Sequence, residues 1–159
     1  MNICIIGGGL TSLSLAKSLV NKKIKVDFYY ENKIKNLFSS RTIGISKNNL
    51  EFFKKEIHDI SNKILWEINK IEIYSEKLEK ENLLKFENDK DCLFYMVKND
   101  DLYKSLISKI SENKFFKKNK IKDKYFYADL QKKNKYDLII NCESNNFLSK
   151  KYFTKKIDK

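Results

Sequence analysis

A short apolar run, Ile3-Cys4-Ile5-Ile6, stops at three consecutive glycines, Gly7-Gly8-Gly9, and a helical pattern opens directly behind them. Leu10, Leu13, Ala16, Leu19 and Val20 fall on one face of that helix, which Asn21-Lys22-Lys23 ends. Ile24, Val26, Phe28 and Tyr30 then alternate as a strand does, before Glu31 and a polar turn. Strand, glycine turn, helix and strand in sequence make a βαβ unit of roughly 30 residues. Two parallel strands joined by a helix require a sheet with a covered face, so the class expected is α/β.

The remainder reads as mixed strands and helices. A loop to Ser40 leads to an extended piece, Thr42-Ile43-Gly44-Ile45, and Ser46 is placed to cap a helix reaching about Ile57, with Leu50, Phe53 and Ile57 inward. Trp66 to Ser75 reads as one strand, Leu83 to Phe86 and Cys92 to Val97 as two more. Asp100 or Asp101 caps a helix carrying Leu102, Leu106, Ile107 and Ile110. Tyr125 to Leu130, rich in aromatics, is read as a further strand. Tyr136 to Asn141 is read as a late buried strand followed by a polar, basic tail. No repeat and no linker separating two domains is visible, so residues 1–159 are treated as one domain.

The glycines stand where a dinucleotide fingerprint stands, after a strand and opening a helix. The pattern G-x-G-x-x-G is met as Gly7-x-Gly9-x-x-Ser12. Gly7 permits the tight turn, Gly9 lets the backbone approach a pyrophosphate, and the third position keeps helix and strand close. Backbone N–H groups from Gly9 through Leu10 and Thr11 to Ser12 are then free to bind phosphate oxygens. Ser12 adds a small side chain at the packing position. Glu31 lies close to the ~20-residue offset expected of the acid that accepts from ribose hydroxyls, with Tyr30 as the alternative if the strand register shifts by one.

Composition separates this reading from a nucleic-acid-binding one. The net charge is +12, from 33 basic and 21 acidic residues, but Arg41 is the one arginine. Base and phosphate recognition rests heavily on arginine's planar fork, and the lysines are spread along the whole chain. The densest basic stretch, Lys114 to Lys124, reads as a solvated loop or strand face, with an anionic partner surface as the sharper alternative. The three cysteines, Cys4, Cys92 and Cys142, are too dispersed for a disulfide framework or a zinc site and suit a reducing compartment. A basic start followed by a long apolar stretch is lacking, so no secretory leader is expected and the location expected is cytoplasmic. His58 alone cannot build a triad or a multi-histidine metal site. The Glu76, Glu79 and Glu81 run, mixed with lysines, reads as a solvated face.

Residues Met1 to Glu31 resemble the N-terminal ADP-binding segment of FAD-dependent aromatic monooxygenases. Arg41-Thr42-Ile43-Gly44-Ile45-Ser46 and the helix around Asn49 to Phe53 are similar to that family's arginine-strand-serine-helix segment. Leu65 to Ile68 leading into Ile71 to Tyr74, and Phe94 to Val97 leading into Asp101 and Leu102, resemble the ubiquinone-pathway (polyprenylphenol) hydroxylases. The resemblance implies a Rossmann-like FAD/NAD(P)-binding fold with additional mixed strands, incomplete relative to the family. It implies FAD as cofactor, NAD(P)H as reductant, and an aromatic substrate with a polyprenyl tail that brings the protein to a membrane surface. Gly7, Gly8, Gly9, Thr11 and Ser12 would hold pyrophosphate, Glu31 the adenosine ribose, and Arg41 a flavin-side contact. No residue takes the part of a catalytic acid or base, as the flavin supplies the reactive group.

Two departures from the family stand out. Its Asp-Gly motif after the late strand is replaced by Glu143-Ser144, with Lys150 near its closing arginine. Its second half, with a Gly-Asp motif and the sheet over the substrate, has no counterpart here, so the chain looks like the front portion of such an enzyme. The alternatives are a non-catalytic, degenerate nucleotide-binding module and, far behind it, a basic nucleic-acid-binding protein.

Overall fold

The computed structural model describes residues 1–31, 41–75, 82–88, 91–122, 125–132 and 135–153. In chain order the elements are β1 (Asn2–Ile6), α1 (Leu10–Asn21), β2 (Lys25–Tyr30), β3 (Thr42–Ile45), α2 (Lys47–Glu56), β4 (Leu65–Ile68), β5 (Lys70–Tyr74), β6 (Asn82–Glu87), β7 (Phe94–Lys98), α3 (Asn99–Ile110), β8 (Phe116–Lys120), α4 (Tyr125–Lys132), β9 (Leu138–Asn141) and α5 (Phe147–Tyr152). They fall into two compact units, Met1–Phe38 with Tyr103–Lys159, and Ser39–Leu102. The second unit is thus an insertion within the first, a division that no linker composition marks.

The first unit is a four-stranded sheet in the order β8-β2-β1-β9, parallel throughout. Ile3 pairs with Val26 on one side and Leu138 on the other. Side chains alternate across a strand, so Ile3 and Ile5 face one side of the sheet and Cys4 and Ile6 the other. All four are buried, with Val26 and Phe28 beside them and Leu13, Ala16 and Val20 of α1 also enclosed. Each such aliphatic or aromatic side chain contributes ~1.5–3 kcal/mol on burial. Cys4 and Ile6 pack with Tyr127 and Leu130 of α4.

Tyr125 to Leu130 is therefore helix and not the strand expected. Tyr127 and Leu130 lie three apart and Phe126 and Leu130 four apart, a helical stripe that the aromatic content of the segment obscured. Phe126 packs on Tyr29, their ring centroids 4.5 Å apart and their planes tilted by 42°. The basic stretch contributes β8, whose Lys117, Lys118 and Lys120 are exposed while Phe116 is buried against Phe28. The tail beyond Asn146 contains α5, capped by the Asn146 side chain accepting from Ser149 N.

Chain order in this sheet reverses at β1. The path runs from β1 to β2 and on to β8 on one side, then returns to place β9 on the other. That makes the gap beyond the C-terminal ends of β1 and β9 a topological switch point, the usual crevice for ligands in open α/β sheets. At the sheet's outer edge Leu138 and Ile139 are exposed, 44% and 38%, beside an open apolar recess of about 420 Å³ lined by residues such as Leu148, Tyr152 and Phe153.

The second unit holds a three-stranded antiparallel sheet, β3-β7-β4, and a hairpin, β5-β6. The single strand expected from Trp66 to Ser75 is broken at Asn69, so that β4 pairs with β7 and β5 with β6. Ser46 caps α2, its hydroxyl accepting from Asn49 N at 3.3 Å. Asp100 and Asp101 sit inside the first turn of α3, where their charge suits the helix dipole, and α3 itself starts at Asn99. Trp66 is a sheet-face residue under the Lys98 ammonium, 5.5 Å from the ring centroid. The Glu76 to Glu81 run lies outside the described residues.

Candidate nucleotide-binding site

Gly7 continues β1 and turns the chain, its N–H donating to Tyr29 O at 2.8 Å. Its φ of +137° is one that a side chain strains. A Cβ there would also come to 3.2 Å from Cys142 Cβ and 3.3 Å from Glu143 Cγ. Gly7 is thus required twice, by its backbone and by the close approach of the segment after β9. Gly8 N donates to Glu143 Oε1 at 3.1 Å.

Gly9 is different in kind. It is the N-cap of α1 at φ −87° and ψ 178°, an ordinary extended conformation, and no side chain caps the helix. Among the described residues, nothing lies within 4 Å of where a Cβ on Gly9 would stand. Open space therefore stands in front of the first turn of α1, where the leading N–H groups of a helix have no intrahelical acceptor. No acidic side chain occupies that turn. Thr11 is exposed on it. Ser12, fully buried, donates its hydroxyl to Gly9 O at 2.8 Å, so the residue replacing the third glycine packs without leaving a polar atom unsatisfied.

Glu31 follows β2 at the same, C-terminal end of the sheet. Its Oε1 accepts from Tyr127 Oη at 3.1 Å. The Tyr127 phenol is pushed up to about 12, chiefly by burial and then by the Glu31 carboxylate, so it stays a donor at neutral pH. Tyr30, the alternative to Glu31, lies with its ring 4.7 Å from the Lys118 ammonium. Tyr30 thus shares a sheet face with Lys118, and Glu31 is the first residue past β2.

Glu143 is held by its backbone. Asn141 donates through Nδ2 to Glu143 O at 3.1 Å and accepts from Glu143 N at 3.2 Å, and the Ser149 hydroxyl donates to the same carbonyl. Asn146 ties into this group, donating to Asn141 Oδ1 at 2.6 Å. Cys142, half-buried just past β9, has its thiol pushed up by burial, so it is an inert neighbour of the turn.

Gly7, Gly8, Gly9, Thr11, Ser12 and Glu31 are accordingly gathered at one end of one sheet. Arg41 belongs to the second unit. It is exposed at the head of β3, and its carbonyl accepts from Asn99 N at 3.0 Å. Sequence reasoning passed over Tyr127, whose partner lies 96 residues away, and the Glu143 contact, which spans 135. The helical stripe in Tyr125 to Leu130 was the available signal for the first.

The open cradle at Gly9, the uncapped helix and the acid beyond β2 suit the ADP moiety of a dinucleotide cofactor such as FAD. A pyrophosphate has room against α1, and Glu31 offers an acceptor to a ribose diol.

No protein-family model matches the chain. No curated protein matches it either. Solved structures do. The chain is similar to 2,6-dihydroxypyridine-3-hydroxylase from Arthrobacter nicotinovorans, at 15% identity and a TM-score of 0.56, covering 74% of this chain and 28% of that one. It is similar to p-nitrophenol 4-monooxygenase PnpA from Pseudomonas putida DLL-E4, at 13% identity and TM-score 0.59, with 75% and 31% covered. It is also similar to pqsL, a probable FAD-dependent monooxygenase from Pseudomonas aeruginosa, at 13% identity and TM-score 0.57, with 76% and 32% covered. At such identities the likeness is one of fold: the α/β fold of the FAD-dependent aromatic hydroxylases. The chain spans about a third of the length of these proteins. Among the described residues no helix is long and apolar enough to cross a membrane.

Proposed function

We propose that the glycine turn binds the ADP half of FAD, and that the chain is the FAD-binding portion of a flavoprotein monooxygenase acting on an aromatic ring. The carrying observation is the open space at Gly9 against an uncapped helix start, with Glu31 fixed at the end of the neighbouring strand. In this reading the N–H groups of Gly9, Leu10 and Thr11 hold pyrophosphate oxygens, Ser12 keeps the turn tight, Glu31 accepts from the adenosine ribose, and Arg41 offers a bidentate fork to the flavin side. When bound, FAD supplies the redox chemistry that couples NAD(P)H and O₂ to ring hydroxylation. The similarity to a dihydroxypyridine hydroxylase and a p-nitrophenol monooxygenase supports an aromatic substrate. One neighbour is seen in complex with 2-aminobenzoylacetate, a further aromatic ligand. The sequence resemblance to ubiquinone-pathway enzymes narrows the substrate to a polyprenylphenol met at a membrane surface, in a cytoplasmic protein.

Titration of the purified chain with FAD, followed by quenching of flavin fluorescence, tests the binding step, with Gly9→Asp as control. A carboxylate at Gly9 would fill the cradle and repel the pyrophosphate. Saturable quenching lost in Gly9→Asp supports the reading, and absence of quenching by the folded chain overturns it. A second reading, a nucleotide-binding module without catalysis, is favoured by Glu143-Ser144 standing where the resembled family has Asp-Gly. FAD binding without any FAD-dependent NAD(P)H oxidation would select it.

A further inference from the structure

We propose that Glu143 is a charge filter on the glycine turn: its carboxylate admits a dinucleotide diphosphate and disfavours nucleotides ending in a free phosphate. The inference rests on the turn being an ADP site and adds the residue that decides which ADP-bearing ligand it takes. Glycine-rich turns that take terminal phosphates, such as the P-loop, set a lysine beside the backbone N–H groups. This chain carries 32 lysines and a net charge of +12, yet among the described residues the two charged groups hydrogen-bonded around the turn are carboxylates. Glu31 accepts from Tyr127 and Glu143 accepts from Gly8 N at 3.1 Å, and neither makes an ion pair with any described residue.

The placement of Glu143 is built into the fold. Its N–H and carbonyl are held by Asn141 and Ser149, both tied to Asn146, and Asn146 and Ser149 are buried. The side chain spans the crevice between the ends of β1 and β9 to reach the middle glycine. One N–H of the turn is thereby committed to an internal anion, and a ligand phosphate must bind on the Gly9 and α1 side of it. A dinucleotide pyrophosphate carries about two negative charges and continues into a neutral sugar. ADP carries about three at neutral pH, the extra one on the terminal phosphate. The fixed carboxylate on Gly8 repels the additional charge in a part-buried site, where Coulomb interactions are stronger than in water.

The test uses the full chain and calorimetric titration with ADP-ribose and with ADP, which share the adenosine diphosphate and differ in whether the outer phosphate is esterified. The wild type is expected to bind ADP-ribose at least about fivefold more tightly than ADP. Glu143→Gln keeps an acceptor for Gly8 N–H and removes the charge, and should bring the two ligands within about twofold by tightening ADP. The wild-type ratio should also shrink as salt rises from about 0.05 to 0.5 M, because screening weakens the discrimination. That measurement carries the test alone if circular dichroism shows the Gln variant unfolded. An unchanged ratio in Glu143→Gln, or a salt-independent ratio in the wild type, overturns the filter while leaving the ADP site standing. A ratio that moves in Glu143→Ala but not in Glu143→Gln makes Glu143 a brace for Gly8 and equally overturns it. Failure of wild type and variants alike to bind either ligand overturns the ADP site itself.

Discussion

Tyr127, 4% exposed in the apolar layer formed with Cys4 and Ile6, donates its phenolic proton to Glu31 at 3.1 Å. A residue of α4 thereby fixes the carboxylate at the end of β2. Tyr127→Phe keeps the ring and removes the donor. Its stability should fall by about 1 kcal/mol, read from denaturant midpoints. FAD or ADP-ribose binding should weaken roughly two- to tenfold, since an unanchored Glu31 loses ~0.5–1.5 kcal/mol of ordering when it takes up its ligand. Unchanged affinity would mean that Tyr127 serves the core alone.

Gly7 and Gly9 should separate stability from binding. Gly7→Ala places a Cβ on a residue at φ +137° and against Cys142 and Glu143. It should destabilise the chain by ~1–3 kcal/mol and lower Tm accordingly. Gly9→Ala meets no atom of the described residues within 4 Å, and should cost less than about 1 kcal/mol in stability while weakening nucleotide binding more than tenfold. Equal loss of stability in both variants would contradict the geometry.

What was legible and what was not divides by sequence distance. The β1-α1-β2 unit, Ser46 as a cap and the buried face of α1 are written in local pattern, and they stand in the structure. The position of Glu31 just past β2 was legible too, because the alternation ending at Tyr30 marks where that strand stops. The break at Asn69 and the helix at Tyr125 were missed because β-branched and aromatic residues favour strand as isolated residues, whereas neighbours across a sheet decide the outcome. Nothing local marks Glu143 as a partner of Gly8. That proximity arises when Ile6 aligns with Asn141 across the sheet.

Asp27 is the hub of a second polar cluster, accepting from Tyr136 Oη at 2.6 Å and Lys135 Nζ at 3.0 Å, with Tyr29 Oη 2.9 Å from Tyr136 Oη. Burial and the Asp27 carboxylate hold the Tyr136 phenol well above its ordinary range. Asp27→Asn and Tyr136→Phe should each cost ~1–3 kcal/mol by denaturant unfolding. Because they share one hydrogen bond, the double variant should cost less than the sum by at least about 0.5 kcal/mol. Strict additivity would dissolve the cluster as an energetic unit.

Cys4 makes stability fall in alkali. Burial in the sheet, with Asp27 as a lesser cause, pushes its thiol from 9.0 up to about 12. In the unfolded chain the thiol ionises first, so above pH ~9 the unfolded state holds fewer protons than the folded one. Stability then declines with rising pH until the folded thiol also titrates near 12. Urea midpoints measured from pH 8 to 11 should drop in the wild type and drop less steeply in Cys4→Ala. Parallel slopes would assign the decline to the tyrosines.

The pairing of Ile3 with Leu138 has a consequence in time. On a ribosome, β1 acquires β2 as a neighbour within the first ~30 residues, but its other edge stays bare until β9 emerges, more than a hundred residues later. Loop closure over such a separation is slow compared with local pairing. During that interval Gly8 lacks the carboxylate that its N–H meets in the finished fold. The middle glycine of the turn therefore gains its carboxylate partner only once the last strand is in place.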